Sequence, residues 1–95
     1  MRKLRSTGEE MESRPAVVAI IIKKPEAAAE VNNILHEYSE VIIGRMGIPY
    51  RQRAINIISI AVDGPQDVIA ALAGKIGALP GVSAKTAYSN VVGNV

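Results

Sequence analysis

Two stretches of this 95-residue chain follow the same pattern, one after the other. Residues 18–31 read VAIIIKKPEAAAEV and residues 58–71 read ISIAVDGPQDVIAA. Each runs from a β-branched segment of strand length through a short turn to a proline, and then into a helical sequence. Proline suits the first turn of a helix, because the N–H that it lacks would have no helical partner there. The sequence therefore predicts a duplicated strand–helix unit, which constrains the fold more than any other feature.

Apolar spacing defines the helices and strands. Residues 25–40 and 65–79 carry apolar side chains at i, i+3, i+4 and i+7, which predicts two amphipathic helices. The stripes are Val31, Ile34, Leu35 and Tyr38 in the first helix, and Ile69, Leu72, Ala73 and Ile76 in the second. Residues 15–22, 40–48, 54–62 and 82–89 have the composition and length of strands.

The order strand, helix, strand, strand, helix, strand predicts an α+β fold, the ferredoxin-like βαββαβ sandwich. Two right-handed crossovers give a four-stranded antiparallel sheet of order 4-1-3-2 with both helices on one face. We assign residues 15–89 to this domain, residues 1–14 to a disordered polar arm and residues 90–95 to a C-terminal tail.

The two central strands are apolar on both of their faces. In the first, Val17, Ala19 and Ile21 point away from the side that carries Val18 and Ile20. Helices cover only one side of this fold, so the other side of the sheet is predicted to expose an apolar patch. The alternative is that strand twist and the arm of residues 1–14 shield this apolar patch, but the arm is too polar to pack against it. We therefore expect self-association, as a homodimer or tetramer.

Several classes of chemistry find no support in the residues. The chain has no cysteine and one histidine, His36, which the helical spacing places toward solvent, so we expect no metal site. The few carboxylates fit turns and helix surfaces, and no nucleophile and base pair can be proposed, so we expect no catalytic residue and no cofactor. The longest apolar run is too short for a membrane span, and a cytoplasmic protein is expected.

Nucleic-acid binding is also disfavoured. The formal net charge is +2, and the only aromatic residues are three tyrosines. RNA-binding proteins with this order of elements stack bases on aromatic side chains of the central strands, where this chain has aliphatic ones.

A cluster of arginines lies in the segment GRMGIPYRQRA, residues 44–54. Arg45, Arg51 and Arg53, with Tyr50, fall on the second strand and the hairpin after it. Their guanidinium groups are candidates for binding a small anion through paired hydrogen bonds. The alternative is that they make solvated or intersubunit salt bridges, or protect a sheet edge from incorrect pairing.

Three segments, LHEYS, GRMGIPYR and ALAGKIGALPGVSAK, resemble a family of regulators assigned to iron-only ([FeFe]) hydrogenase systems of anaerobic bacteria. The similarity covers nearly the whole chain from Pro15. The family is ferredoxin-like, and it is related in shape to ACT domains and to the ligand-binding domain of the nickel-responsive repressor.

The resemblance implies a non-enzymatic ACT-like module that regulates an iron-only hydrogenase system, including at the level of transcription. ACT domains bind small effectors at dimer interfaces near the turn between the first strand and the first helix, where this sequence has Lys23, Lys24 and Pro25 without the glycine-rich turn often found there. Our hypothesis is a small anionic effector at a subunit interface, bound by Arg45 and Arg51. The alternative is an interaction or assembly factor without a ligand, which acts on a protein partner in hydrogenase expression or maturation. The repressor's separate DNA-binding segment and its histidine and cysteine nickel ligands have no counterpart in this sequence. We therefore expect neither direct DNA reading nor nickel sensing.

Overall fold

The computed structural model describes residues 13–90. Four strands, β1 (Ser13–Ile22), β2 (Ile42–Tyr50), β3 (Ile55–Pro65) and β4 (Val82–Tyr88), form one sheet in which all neighbours are antiparallel. Two helices, α1 (Ala28–Glu37) and α2 (Gln66–Gly77), connect β1 to β2 and β3 to β4. The strand order is β2-β3-β1-β4, which is the predicted order 4-1-3-2 counted from the other edge. The ferredoxin-like fold is confirmed.

The ends of the elements differ from the predicted ones by a few residues. β1 begins at Ser13, two residues before the predicted start of the domain. The first helix opens with a 3₁₀ turn at Pro25–Ala27, and α1 follows from Ala28. No side chain caps this start, because Lys24 and Ala27 cannot accept a hydrogen bond as a serine or aspartate does. Most of the predicted arm, and residues 91–95 of the predicted tail, lie outside the described residues.

The core lies between the helices and one face of the sheet. It consists of Ala16, Val18, Ile20 and Ile22 of β1, Ala27, Val31 and Leu35 at α1, Ile58, Ile60 and Val62 of β3, Ile69, Leu72 and Ile76 of α2, and Val82 of β4. These side chains come from alternate residues of the central strands and from the predicted apolar stripes of the two helices. Burial of an isoleucine contributes roughly 1.5–3 kcal/mol, so these aliphatic residues supply most of the stabilisation, and Tyr38 and Tyr88 pack against the border of the core.

The edge strand β2 contributes no buried residue. A β-bulge shifts its pairing with β3 between Ile42 and Gly44. The helices pack mainly on β4, β1 and β3, and β2 extends past them with solvent on both of its faces. The side of β2 that faces the helical layer is therefore an open surface beside α1.

Candidate ligand groove and open sheet face

The sheet surface that faces away from the helices, the open face, is largely apolar. Its large exposed side chains are Val17, Ile21, Met46, Ile48 and Tyr50, with exposed fractions between 37% and 59%. The register places them together: Ile48, Ile57 and Ile21 stand in one row across β2, β3 and β1. This arrangement is the two-sided apolar pattern that the sequence predicts.

The structure divides the arginine cluster between different surfaces. Arg45 pairs with Ile60, which is fully buried, so its side chain lies on the helix-facing side of β2. Tyr50 pairs with Ile55 and lies on the open face. Arg51 and Arg53 belong to the 3₁₀ turn between β2 and β3, and both are exposed. The four candidate residues therefore do not form a single constellation within one chain.

Arg45 and Arg51 instead line one elongated depression, which we call the edge groove. It runs along the helix-facing side of β2 as three adjoining cavities of about 370, 190 and 260 Å³. The first and middle cavities share Arg45 and Asn32. The middle and last cavities share Ile22, Pro49 and Asn56. The groove thus joins α1, β2 and the ends of the two central strands.

Arg45 is held in position at the middle of the edge groove. Its Nη2 donates a hydrogen bond of 3.1 Å to Oδ1 of Asn32 on α1. Within residues 13–90 the one ion pair joins Lys75 to Glu37, so no carboxylate of this region neutralises Arg45. Of the aspartates and glutamates that the structure describes, none lines any of the three cavities. The groove is consequently cationic, and the other N–H groups of the guanidinium point to no carboxylate of the described chain.

His36 and Ser39 line the outer cavity next to Arg45. His36 is exposed, as its helical position predicts. In the part of the chain that the structure describes, no three His, Cys, Asp or Glu side chains come together as a metal-binding group. Among the same residues, no helix has both the length and the hydropathy needed to cross a bilayer.

Two asparagines of the edge groove were not among the predicted site residues. Asn32 follows Val31 on α1, and Asn56 pairs with both Ile22 and Pro49. Asn56 shares the core-facing side of β3 with Ile58, Ile60 and Val62, and it is half-buried. A polar residue in an otherwise apolar, core-facing row is a signal that the sequence already contained.

Comparison with known proteins identifies the family. The family described as "TM1266-like: Iron-only hydrogenase system regulator, putative" matches residues 14–86. The chain belongs to this family. The family's description gives the chain a regulatory role. It agrees with the resemblance to hydrogenase-system regulators that the segments LHEYS, GRMGIPYR and ALAGKIGALPGVSAK indicate.

Solved structures similar to this chain include that of TM1266 from Thermotoga maritima. That protein is 36% identical, with 81% of this chain and 98% of TM1266 covered and a TM-score of 0.78. A formyltetrahydrofolate deformylase from Pseudomonas putida KT2440 has a TM-score of 0.59 at 17% identity, over 81% of this chain and 29% of the deformylase. At that identity the likeness shows the shared fold alone. No curated protein matches the chain.

Proposed function

We propose that this chain is a non-enzymatic, ACT-like regulatory module of an iron-only hydrogenase system, and that it works as a homo-oligomer with a small anionic effector. Two copies meet through their open faces, and the effector binds beside Arg45 and Arg51. The observation that carries the proposal is the open face, where apolar side chains from three strands stand in register.

The size of the open face is that of a weak to moderate contact between two copies. Four strands spaced about 4.8 Å apart, over about seven residues of 3.3 Å each, cover roughly 450 Å² per copy. Two copies together then bury about 900 Å², slightly less than the roughly 1,000 Å² that specific interfaces usually exceed. At ~25 cal/mol per Å², a fully apolar contact of this size is worth at most ~20 kcal/mol before the costs of association and of polar desolvation are subtracted.

A charge placed on the open face tests self-association. Ile48 is an exposed residue at the β2 end of the apolar row, so Ile48→Asp introduces a carboxylate that the contact would have to desolvate. We expect size-exclusion chromatography with light scattering to give a dimer or tetramer for the wild type at micromolar concentration, and a monomer for Ile48→Asp.

The matched control is Ala71→Asp, an exposed position on α2, remote from the open face. This variant should keep the wild-type oligomer, and circular dichroism should show that both variants are folded. A monomeric wild type, or dissociation of both variants alike, would argue against the proposal.

The open face also suits a different protein as the occupant, which is the second candidate function. In that case the chain is an assembly or interaction factor in hydrogenase expression or maturation, without a ligand. A wild type that stays monomeric, co-purifies with one defined hydrogenase protein and shows no stabilisation by any anion would favour this candidate over the first.

A further inference from the structure

We propose that the middle cavity of the edge groove binds a small aliphatic monocarboxylate. The guanidinium of Arg45 holds the carboxylate, and Ile22, Pro49 and Ile58 pack against the aliphatic body. This inference specifies the chemical class of the effector. Its regulatory meaning rests on the proposed function. The binding site itself is built entirely from residues of one chain.

The charge of the cavity favours a carboxylate with a single negative charge. Among residues 13–90, Arg45 is the one charged side chain that lines the middle cavity, and Asn32 and Asn56 supply its side-chain amides. A guanidinium presents two parallel N–H groups that match the two oxygens of a carboxylate. The hydrogen bond to Asn32 fixes the guanidinium at the wall formed by α1, so less freedom is lost when the anion binds.

The size and lining of the cavity limit the rest of the ligand. The middle cavity, about 190 Å³ in volume and open to solvent on one side, has room for a small ligand of about six to eight non-hydrogen atoms. Most of the lining is aliphatic, which excludes a ligand that is polar along its whole length. A branched four- or five-carbon acid meets both conditions.

Gly47 keeps this cavity open. It pairs with Ile58, so a side chain at position 47 would project into the groove, and a Cβ there meets no atom within 4 Å. Gly44 also has free space, but it pairs with Ala61 and so lies on the open face. The same substitution at these two glycines therefore fills the groove in one case and leaves it empty in the other.

Titration of the ¹⁵N-labelled full-length chain with 3-methylbutanoate, followed by two-dimensional NMR, tests the proposal. We expect saturable shifts of the amide signals of Arg45, Gly47 and Asn56, with a Kd of about 1 mM for a ligand of seven non-hydrogen atoms. The neutral analogue 3-methylbutanamide and inorganic phosphate should each bind at least tenfold more weakly.

Variants connect the shifts to the groove. Arg45→Gln and Gly47→Val should each weaken binding of 3-methylbutanoate at least tenfold, since the first removes the charge and the second fills the cavity. Gly44→Val and Arg53→Gln should bind within twofold of the wild type, because Gly44 lies on the other face and Arg53 lines none of the three cavities.

The proposal is overturned if the wild type shows no saturable shifts. It is equally overturned if the amide or phosphate binds as tightly as the acid, or if Arg45→Gln binds unchanged. Because Ile48 also lines the middle cavity, Ile48→Asp is used only in the oligomer test, and the titration is scored on the wild type and on the Arg45, Gly47, Gly44 and Arg53 variants. Failure of one experiment therefore leaves the other interpretable.

Discussion

Gly81 is the residue whose backbone most restricts what can replace it. Its φ of 76° lies in the left-handed region, and a Cβ there would stand 2.5 Å from Cγ of Lys24. The carbonyl oxygen of Gly81 also accepts a hydrogen bond of 2.7 Å from the backbone N–H of Lys23. The turn before β4 is thereby fixed against the end of β1.

Substitution of Gly81 should destabilise the protein. Gly81→Ala combines left-handed backbone strain with the displacement of Lys24, and we expect a loss of ~2 kcal/mol in the free energy of unfolding. The matched control is Gly74→Ala in the interior of α2, where a Cβ meets open space. That change should instead add ~1 kcal/mol. Urea denaturation measures both, and a Gly81→Ala variant as stable as wild type would contradict the strain.

Strand alternation explains which part of the arginine site could be predicted from sequence. Arg45 and Tyr50 are five positions apart, an odd number, so regular alternation along one strand already places them on opposite faces. Proximity in sequence alone predicts a single site, whereas the structure places Arg45 and Tyr50 on opposite faces of β2. Asn32 could not be assigned with equal ease, since its approach to Arg45 depends on how α1 sits over the sheet. Asn56 was detectable, because it is a polar residue in an otherwise apolar, core-facing row of β3.

Lys75 links the two helices. Its Nζ lies 3.6 Å from Oε1 of Glu37 and 5.2 Å from the ring centre of Tyr38, at the end of α1. The pKa of Lys75 is raised above its usual value, first by a side-chain hydrogen bond to Tyr38 and then by the charges of Tyr38 and Glu37. The ammonium form is thus favoured in the folded protein.

This shift predicts a stability change at high pH. Because the pKa of Lys75 is higher in the folded state, its contribution is complete below the unfolded value of about 10.4 and is lost as pH rises through the folded pKa. Melting temperatures between pH 8 and pH 12 should show the wild type above Lys75→Met at the lower end, with the difference closing as pH rises. A difference that stays constant with pH would show that the ammonium charge is not its cause.

The helices illustrate how far periodicity predicts an element. The stripes of α1 and α2 follow from spacing, and the structure buries Val31, Leu35, Ile69, Leu72 and Ile76 as that spacing requires. The 3₁₀ turn at Pro25–Ala27 does not follow, because proline at the first position is compatible with either kind of turn. Helix ends depend on local hydrogen bonds, which the stripe does not encode.

At the scale of the whole molecule, the duplication in the sequence determined the topology. Two strand–helix–strand units with right-handed crossovers leave few ways to form one sheet, and the observed order is among them. The edge groove arises from a different cause. It exists because α1 has ten residues, about 15 Å of helix, whereas the nine extended residues of β2 span about 30 Å, so the helix covers only part of the strand. This follows from packing rather than from any motif.

The lack of buried side chains on β2 also determines how the molecule opens. Local unfolding costs least where the fewest apolar contacts are broken, so β2 should detach transiently while β1 and β3 stay paired. In hydrogen–deuterium exchange, the amides of β2 should lose their protons well before those of Val18 and Ile60. Uniform exchange over all four strands would contradict this. The open face and the edge groove share this least stable strand, so occupation of either surface would stiffen the strand that serves both.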